Sequence, residues 1–191
     1  GKTQGRTETF LGSWLKRQQR DKLVIATKVA GPGRRDWIRG GRTDLTREVI
    51  AEAVDTSLQR LQSDYIDLYQ IHWPNRAMYH FRDIWGFDPR SGTAADTESH
   101  MVEMLAEAAR LIDEGKIRHI ALSNETVWGA AKWLHLAEKH GLPRMVSVQN
   151  EYSLLCRQFD SDWAELSHME NLPLLAFSPL ATGLLTGKYA G

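Results

Sequence analysis

Apolar residues along this chain follow two rhythms. Short continuous apolar runs recur at 23–29, 65–71, 117–122, 145–148 and 172–177. Runs of that length, rich in Val, Ile and Leu, predict strands buried on both faces. Between them, apolar residues return every three or four positions, as on one face of a helix. That spacing predicts helices over 7–19, from Thr46 through Leu61, and over 99–114, 125–140 and 160–170. Thr46 is a candidate N-cap for the second helix and Asn124 for the fourth. Gly115 stops the third helix, and Gly141 with Pro143 just beyond stops the fourth.

Strands separated by single helices imply right-handed βαβ units and a parallel sheet. Two closures compete, an open doubly wound sheet and a barrel. The open sheet favours a Gly-x-Gly-x-x-Gly turn after an early strand, and the chain has none. Gly183-Leu184-Leu185-Thr186-Gly187-Lys188 is one spacer short of a P-loop and continues with Tyr189 where Ser or Thr belongs. Polar residues instead gather at the C-terminal ends of the strands: Lys28, His72, Ser123 with Asn124, Gln149 with Asn150, and Ser178. Barrel enzymes hold their sites there. A complete (β/α)8 TIM barrel takes about 250 residues and eight strands. Five strands in 191 residues therefore predict one α/β domain over 1–191 that is an incomplete barrel. Two connections stand out, a Gly- and Arg-rich one over 30–45 and a long one over roughly 74–98. Long connections in a compact domain tend to be functional.

Composition narrows the partners. Formal net charge is zero, with 42% hydrophobic and 25% charged residues. That balance fits a globular protein and gives no reason to expect nucleic acid or an acidic membrane as partner. Cys156 is the single cysteine, so no internal disulfide forms and a reducing compartment, the cytoplasm, is expected. No apolar run approaches the roughly 20 residues that span a bilayer. The opening segment is not a signal peptide. It lacks an initiator Met, and the chain is expected to start inside a longer protein. Asn124-Glu125-Thr126 matches a glycosylation acceptor only by chance on this reading. His135, Glu138 and His140 lack metal-ligand spacing, and no metal is expected.

The candidate chemistry sits at the strand ends. Lys28 is either a snorkelling lysine or a partly desolvated cation that lowers a neighbour's pKa. A lone histidine such as His72 is more often a satisfied structural group than a catalyst. Lys28 and His72 end successive parallel strands, however, so both should face one mouth. Trp73 is core or a flat wall for a substrate. Ser123, Asn124, Gln149 and Asn150 can donate and accept together, as recognition of a carboxamide requires. Phe177 either packs or stacks on a flat ring.

These residues fall in segments that resemble the aldo-keto reductase superfamily. The segments are Val24 through Val29, Ser57 through Pro74, Gly115 through Glu125, Val148 through Asn150, and Ala176 through Tyr189. Residues 3–8 and 150–155 look like the bacterial NADP(H)-dependent branch. The resemblance implies an oxidoreductase that reduces a small carbonyl compound, aldehyde or ketone, with NADPH. It implies a catalytic tetrad of Asp, Tyr, Lys and His, in which Lys28 and His72 match two members. The Asp and Tyr belong before residue 1 by that pattern. Ser123, Asn124 and Gln149 are implied to hold the nicotinamide carboxamide. Phe177 is implied to stack on its ring, and Ser178 and Leu180 to approach the pyrophosphate. The segment that grips the 2′-phosphate is implied to follow the chain. The 191 residues alone are therefore expected to bind cofactor poorly and to be inactive. Some members of the superfamily hold cofactor with little turnover, and a binding or regulatory subunit is the alternative.

Overall fold

The computed structural model describes residues 3–33, 37–42, 44–81 and 83–189. Parts of the 30–45 connection and the chain ends lie outside the described residues. Four strands, β1 (Ala26–Val29), β2 (Ile66–Ile71), β3 (Ile117–Ser123) and β4 (Met145–Gln149), form one sheet in the order β1-β2-β3-β4. Every pairing is parallel. Helices α2 (Arg47–Leu61), α3 (Ala94–Asp113) and α4 (Val127–His140) make the crossovers, with α1 (Arg6–Leu15) before the sheet and α5 (Asp162–Met169) after it. This is an α/β fold with the strand-helix repeat of an incomplete (β/α)8 barrel.

One core lies between sheet and helices. It takes Val29, Tyr69, Ile71, Ile120, Leu122 and Val148 from the strands and Val54, Leu61, Met104, Leu105, Leu111 and Trp133 from the helices. Alternation along a strand sends the remaining residues to the other face. In register, Ala26 pairs with Leu68 and Leu68 with His119, while Lys28 pairs with Gln70 and Gln70 with Ala121. Those two rows lie on the face turned away from the helices. Helices α1 and α2 touch closely at Gly12, where a Cβ would meet the Arg60 carbonyl at 2.3 Å.

Several elements differ from the sequence reading. The first strand begins at Ala26 rather than 23, because the Ile25 N–H donates to the Asp67 carboxylate at 2.9 Å instead of to a neighbouring strand. Helix α1 ends at Leu15, and Arg20–Lys22 forms a short 3-10 turn. Helix α3 begins at Ala94, five residues early, because Thr93 caps it by accepting from the Asp96 N–H at 3.1 Å. Thr126, not Asn124, caps α4 and accepts from the Gly129 N–H at 3.1 Å. The run at 172–177 is not a continuous strand. It contributes parallel bridges at Leu174 and Phe177. Backbone bonds run from Leu175 to Val148 at 2.8 Å and from Phe177 to Asn150 at 3.1 Å. Pro173 has no N–H to donate, so the ladder starts late. Residues 181–186 form 3-10 turns kinked at Thr182 and Gly183.

Candidate active site

Lys28 lies one residue before the end of β1, and His72 directly follows β2. The His72 N–H donates to the Val29 carbonyl at 3.0 Å, which fixes the two residues at the same, C-terminal end of the sheet. Ser123 ends β3 and Gln149 ends β4, paired in register. Asn124 donates through its backbone N–H to the Gln149 carbonyl at 3.0 Å. The Phe177 bridge to Glu151 continues the rim. The sheet thus brings Lys28, His72, Ser123, Asn124, Gln149 and Phe177 to one mouth. Ser178 and Leu180 follow Phe177 on the same rim, at the start of the kinked turn.

Each group has a defined environment. Burial holds the Lys28 ammonium below the usual lysine range, and among the described residues it has no ion pair. His72 packs its ring at 4.7 Å from Trp73 and edge-on at 6.2 Å from Phe81. Trp73 is buried, donates its indole N–H to the Pro32 carbonyl at 2.8 Å and meets Phe81 edge-on. Its N–H is therefore spent on the protein, and the ring is held in place as a wall.

Asn124 carries the tightest local constraint. Its φ is +48°, a left-handed conformation that Asn tolerates better than most residues. Its Nδ2 donates to the His72 carbonyl at 2.9 Å and to Ser123 Oγ at 3.1 Å. That side chain ties the end of β3 to the end of β2, which is why it does not cap α4. Its Oδ1 and the Gln149 Oε1 are buried acceptors that find no donor among the described residues. Buried acceptors of this kind are rarely left unpaired in the working state of a protein.

Asn150 does not join the mouth as a free amide. Its Oδ1 accepts from the Glu125 N–H at 3.2 Å and its Nδ2 donates to the Glu125 carbonyl at 3.0 Å. Glu125, Arg76 and His80 were not singled out from sequence. Arg76 pairs with the buried Glu125 carboxylate, and His80 Nε2 lies 2.9 Å from the Glu125 carbonyl oxygen. The one sequence signal for this cluster was Gly129, a poor helix former in the first turn of α4.

Several cavities border the 72–93 connection. One of 380 Å³ runs between Phe81, Asn150, Cys156 and Trp163. Another of 340 Å³ lies against Trp73 and Phe87.

Burial holds His80 and His100 below the usual histidine range. Their folded pKa values lie under the unfolded value of about 6.5, so the unfolded chain takes up protons first as pH falls. Their contribution to stability is complete above about pH 6.5 and is lost progressively below it. Urea unfolding midpoints should therefore fall between pH 7.5 and 5.5, above the range where carboxylates titrate. A midpoint unchanged over that interval would rule this out.

Comparison with known proteins bears on the same residues. The model of the aldo/keto reductase family matches residues 3–191. The chain is 49% identical over 190 residues to Protein tas of Escherichia coli strain K12, covering 98% of this chain and 54% of that protein. It is 41% identical over 177 residues to an aldo-keto reductase of Babesia bovis, covering 88% and 61%. It is 29% identical over 194 residues to the NADH-specific methylglyoxal reductase of E. coli K12, covering 96% and 51%. The chain spans about half the length of most of these curated relatives.

Proposed function

From the premise that this chain belongs to the aldo/keto reductase family, we propose that its full-length protein reduces an aldehyde or ketone to an alcohol with NADPH. The observation that carries this is the pair of buried acceptors at the mouth, Asn124 Oδ1 and Gln149 Oε1, which find no donor among the described residues. The NH2 of a nicotinamide carboxamide supplies the donors they lack, so the residues present fit the cofactor. Phe177 offers its ring for stacking. Ser178 and Leu180 open a segment in which Ser178, Ala181, Thr182 and Gly183 all have positive φ. Such turned backbone supports a role in cradling the pyrophosphate.

When bound, the reduced nicotinamide supplies the hydride. The chain supplies position and charge. Lys28 holds a partly desolvated positive charge at the mouth, and a cation beside the phenol of the implied tetrad lowers that phenol's pKa from about 10 toward working pH. That phenol then gives its proton to the carbonyl oxygen. His72 aims a hydrogen bond at the same oxygen, an interaction typically worth a few kcal/mol in the transition state. Trp73 and Phe81 wall off an apolar side for the rest of the substrate. NADPH over NADH rests on the likeness of residues 3–8 and 150–155 to the NADP(H) branch. The cytoplasm is the compartment we assign, supported by the single cysteine.

The test uses the full-length protein with NADPH and a simple aromatic aldehyde, followed by loss of NADPH absorbance. Turnover is expected. Tight cofactor binding without turnover would instead support a cofactor-holding subunit, and no binding of NADPH or NADH would refute the reading.

A further inference from the structure

We infer that Glu125 is a positioning residue that fastens the 72–93 connection and Asn124 to one point, so that the wall beside His72 and the carboxamide acceptor are set together. The inference rests on the proposed reaction for its consequence, but the geometry stands by itself. Glu125 follows Asn124 directly, and it is 2% exposed. Its carboxylate is held by Arg76, by the Trp133 indole N–H at 3.1 Å and by the Thr126 N–H at 2.7 Å. Its carbonyl meets His80 Nε2 at 2.9 Å and Asn150 Nδ2 at 3.0 Å. Arg76 and His80 both belong to the connection, so two of its side chains converge on one residue.

The connection has other anchors, the buried Trp73 at its start and Asn75, whose Oδ1 accepts from the Leu45 N–H at 3.0 Å, but it is Arg76 and His80 that tie it to Glu125, the residue beside Asn124. Residues 72–93 contain no helix or strand among those described. Cavities of 340 and 490 Å³ flank Arg76 on either side. A segment without regular secondary structure takes much of its orientation from side-chain anchors such as these. From the other side, Asn124 keeps its left-handed backbone only if the residues around it over-determine it. Ser123, His72 and Gln149 hold one flank, and Asn150 with Glu125 holds the next residue. The site for the ion pair is cut into the helix: a Cβ on Gly129 would lie 2.1 Å from Arg76 Nη2 and 2.2 Å from Glu125 Oε1.

Two variants of the full-length protein test this. Glu125→Gln keeps the shape and removes the charge. Gly129→Ala keeps every charge and wedges the pair apart, although Ala is the better helix former. Amide exchange of residues 74–92 and 123–126 is followed in the free protein, together with the NADPH Kd and the KM and kcat for an aromatic aldehyde. Both variants are expected to speed exchange in both segments. Both should raise Kd and KM by roughly 2- to 30-fold, the span over which residues act on a site through packed contacts. kcat should change less than either. Lower melting temperature with exchange, Kd and KM at wild-type values would overturn the inference and leave a purely structural ion pair. If the wild type binds no nicotinamide cofactor, the proposed reaction fails and exchange alone decides. Faster exchange in both segments then supports the link between them, and unchanged exchange overturns it.

Discussion

Lys28→Met in the full-length protein is expected to lower kcat/KM for carbonyl reduction by roughly 10²–10⁴-fold, the usual contribution of a general acid. Lysine 28 does not touch the carbonyl in the proposed reaction. It makes the acid competent, because without a neighbouring cation a phenol returns toward a pKa of about 10. Burial already holds the Lys28 ammonium below its ordinary range, so its field acts through a poorly hydrated environment, where a charge is felt more strongly than in water. Met has a stem of similar reach and preserves the packing against the strand end. The acceptors proposed for the carboxamide lie just after β3 and at the end of β4, so NADPH affinity should change far less than turnover. Steady-state kinetics with a fluorescence titration separates the two. A variant that retains more than a tenth of wild-type kcat/KM would show that Lys28 is only a snorkelling lysine.

The sheet and the order of its elements were legible because the strands are apolar throughout and the helices are apolar on one face. The mouth was legible for a related reason. In a parallel sheet the strand ends align, so Lys28, His72, Asn124 and Gln149 come together without any knowledge of side-chain contacts. What stayed hidden depends on side chains that compete with the backbone. The Asp67 carboxylate takes the Ile25 N–H and shortens β1. The Asn124 amide reaches across to His72 and leaves the capping of α4 to Thr126. The first turn of α3 carries no large apolar residue to mark it, only Ala94 and Ala95, and Thr93 three residues before Asp96 signals its start. Glu125 and Arg76 are 49 residues apart in sequence, and no local pattern pairs them.

Asp67→Ala is expected to destabilise the full-length protein by about 3 kcal/mol, the lower end of the cost of breaking a buried ion pair. Asp67 is 5% exposed and sits near the start of β2. It binds Arg20 at 2.6 Å, Arg118 at 2.8 Å and the Ile25 N–H at 2.9 Å. One carboxylate thereby joins the approach to β1, the strand β2 and the start of β3. Burial pushes its pKa up, but the Ile25 N–H and the two guanidinium groups outweigh that and hold it below the ordinary aspartate value. Removing it strands Arg20, the less exposed of the two arginines. The loss stays at the low end because Arg20 keeps the carbonyls of Leu23 and Tyr65, both at 2.9 Å, and its stacking on the Tyr65 ring. Arg118 is half exposed, and water replaces its lost partner at small cost. Asp67 lies at the N-terminal end of the strands, opposite the mouth, where barrel residues serve stability rather than chemistry. Below the melting transition, Kd for NADPH and kcat should therefore match the wild type. Urea unfolding that shifts by less than 1 kcal/mol, or a cofactor affinity that falls with it, would mean that this end of the sheet is held in some other way.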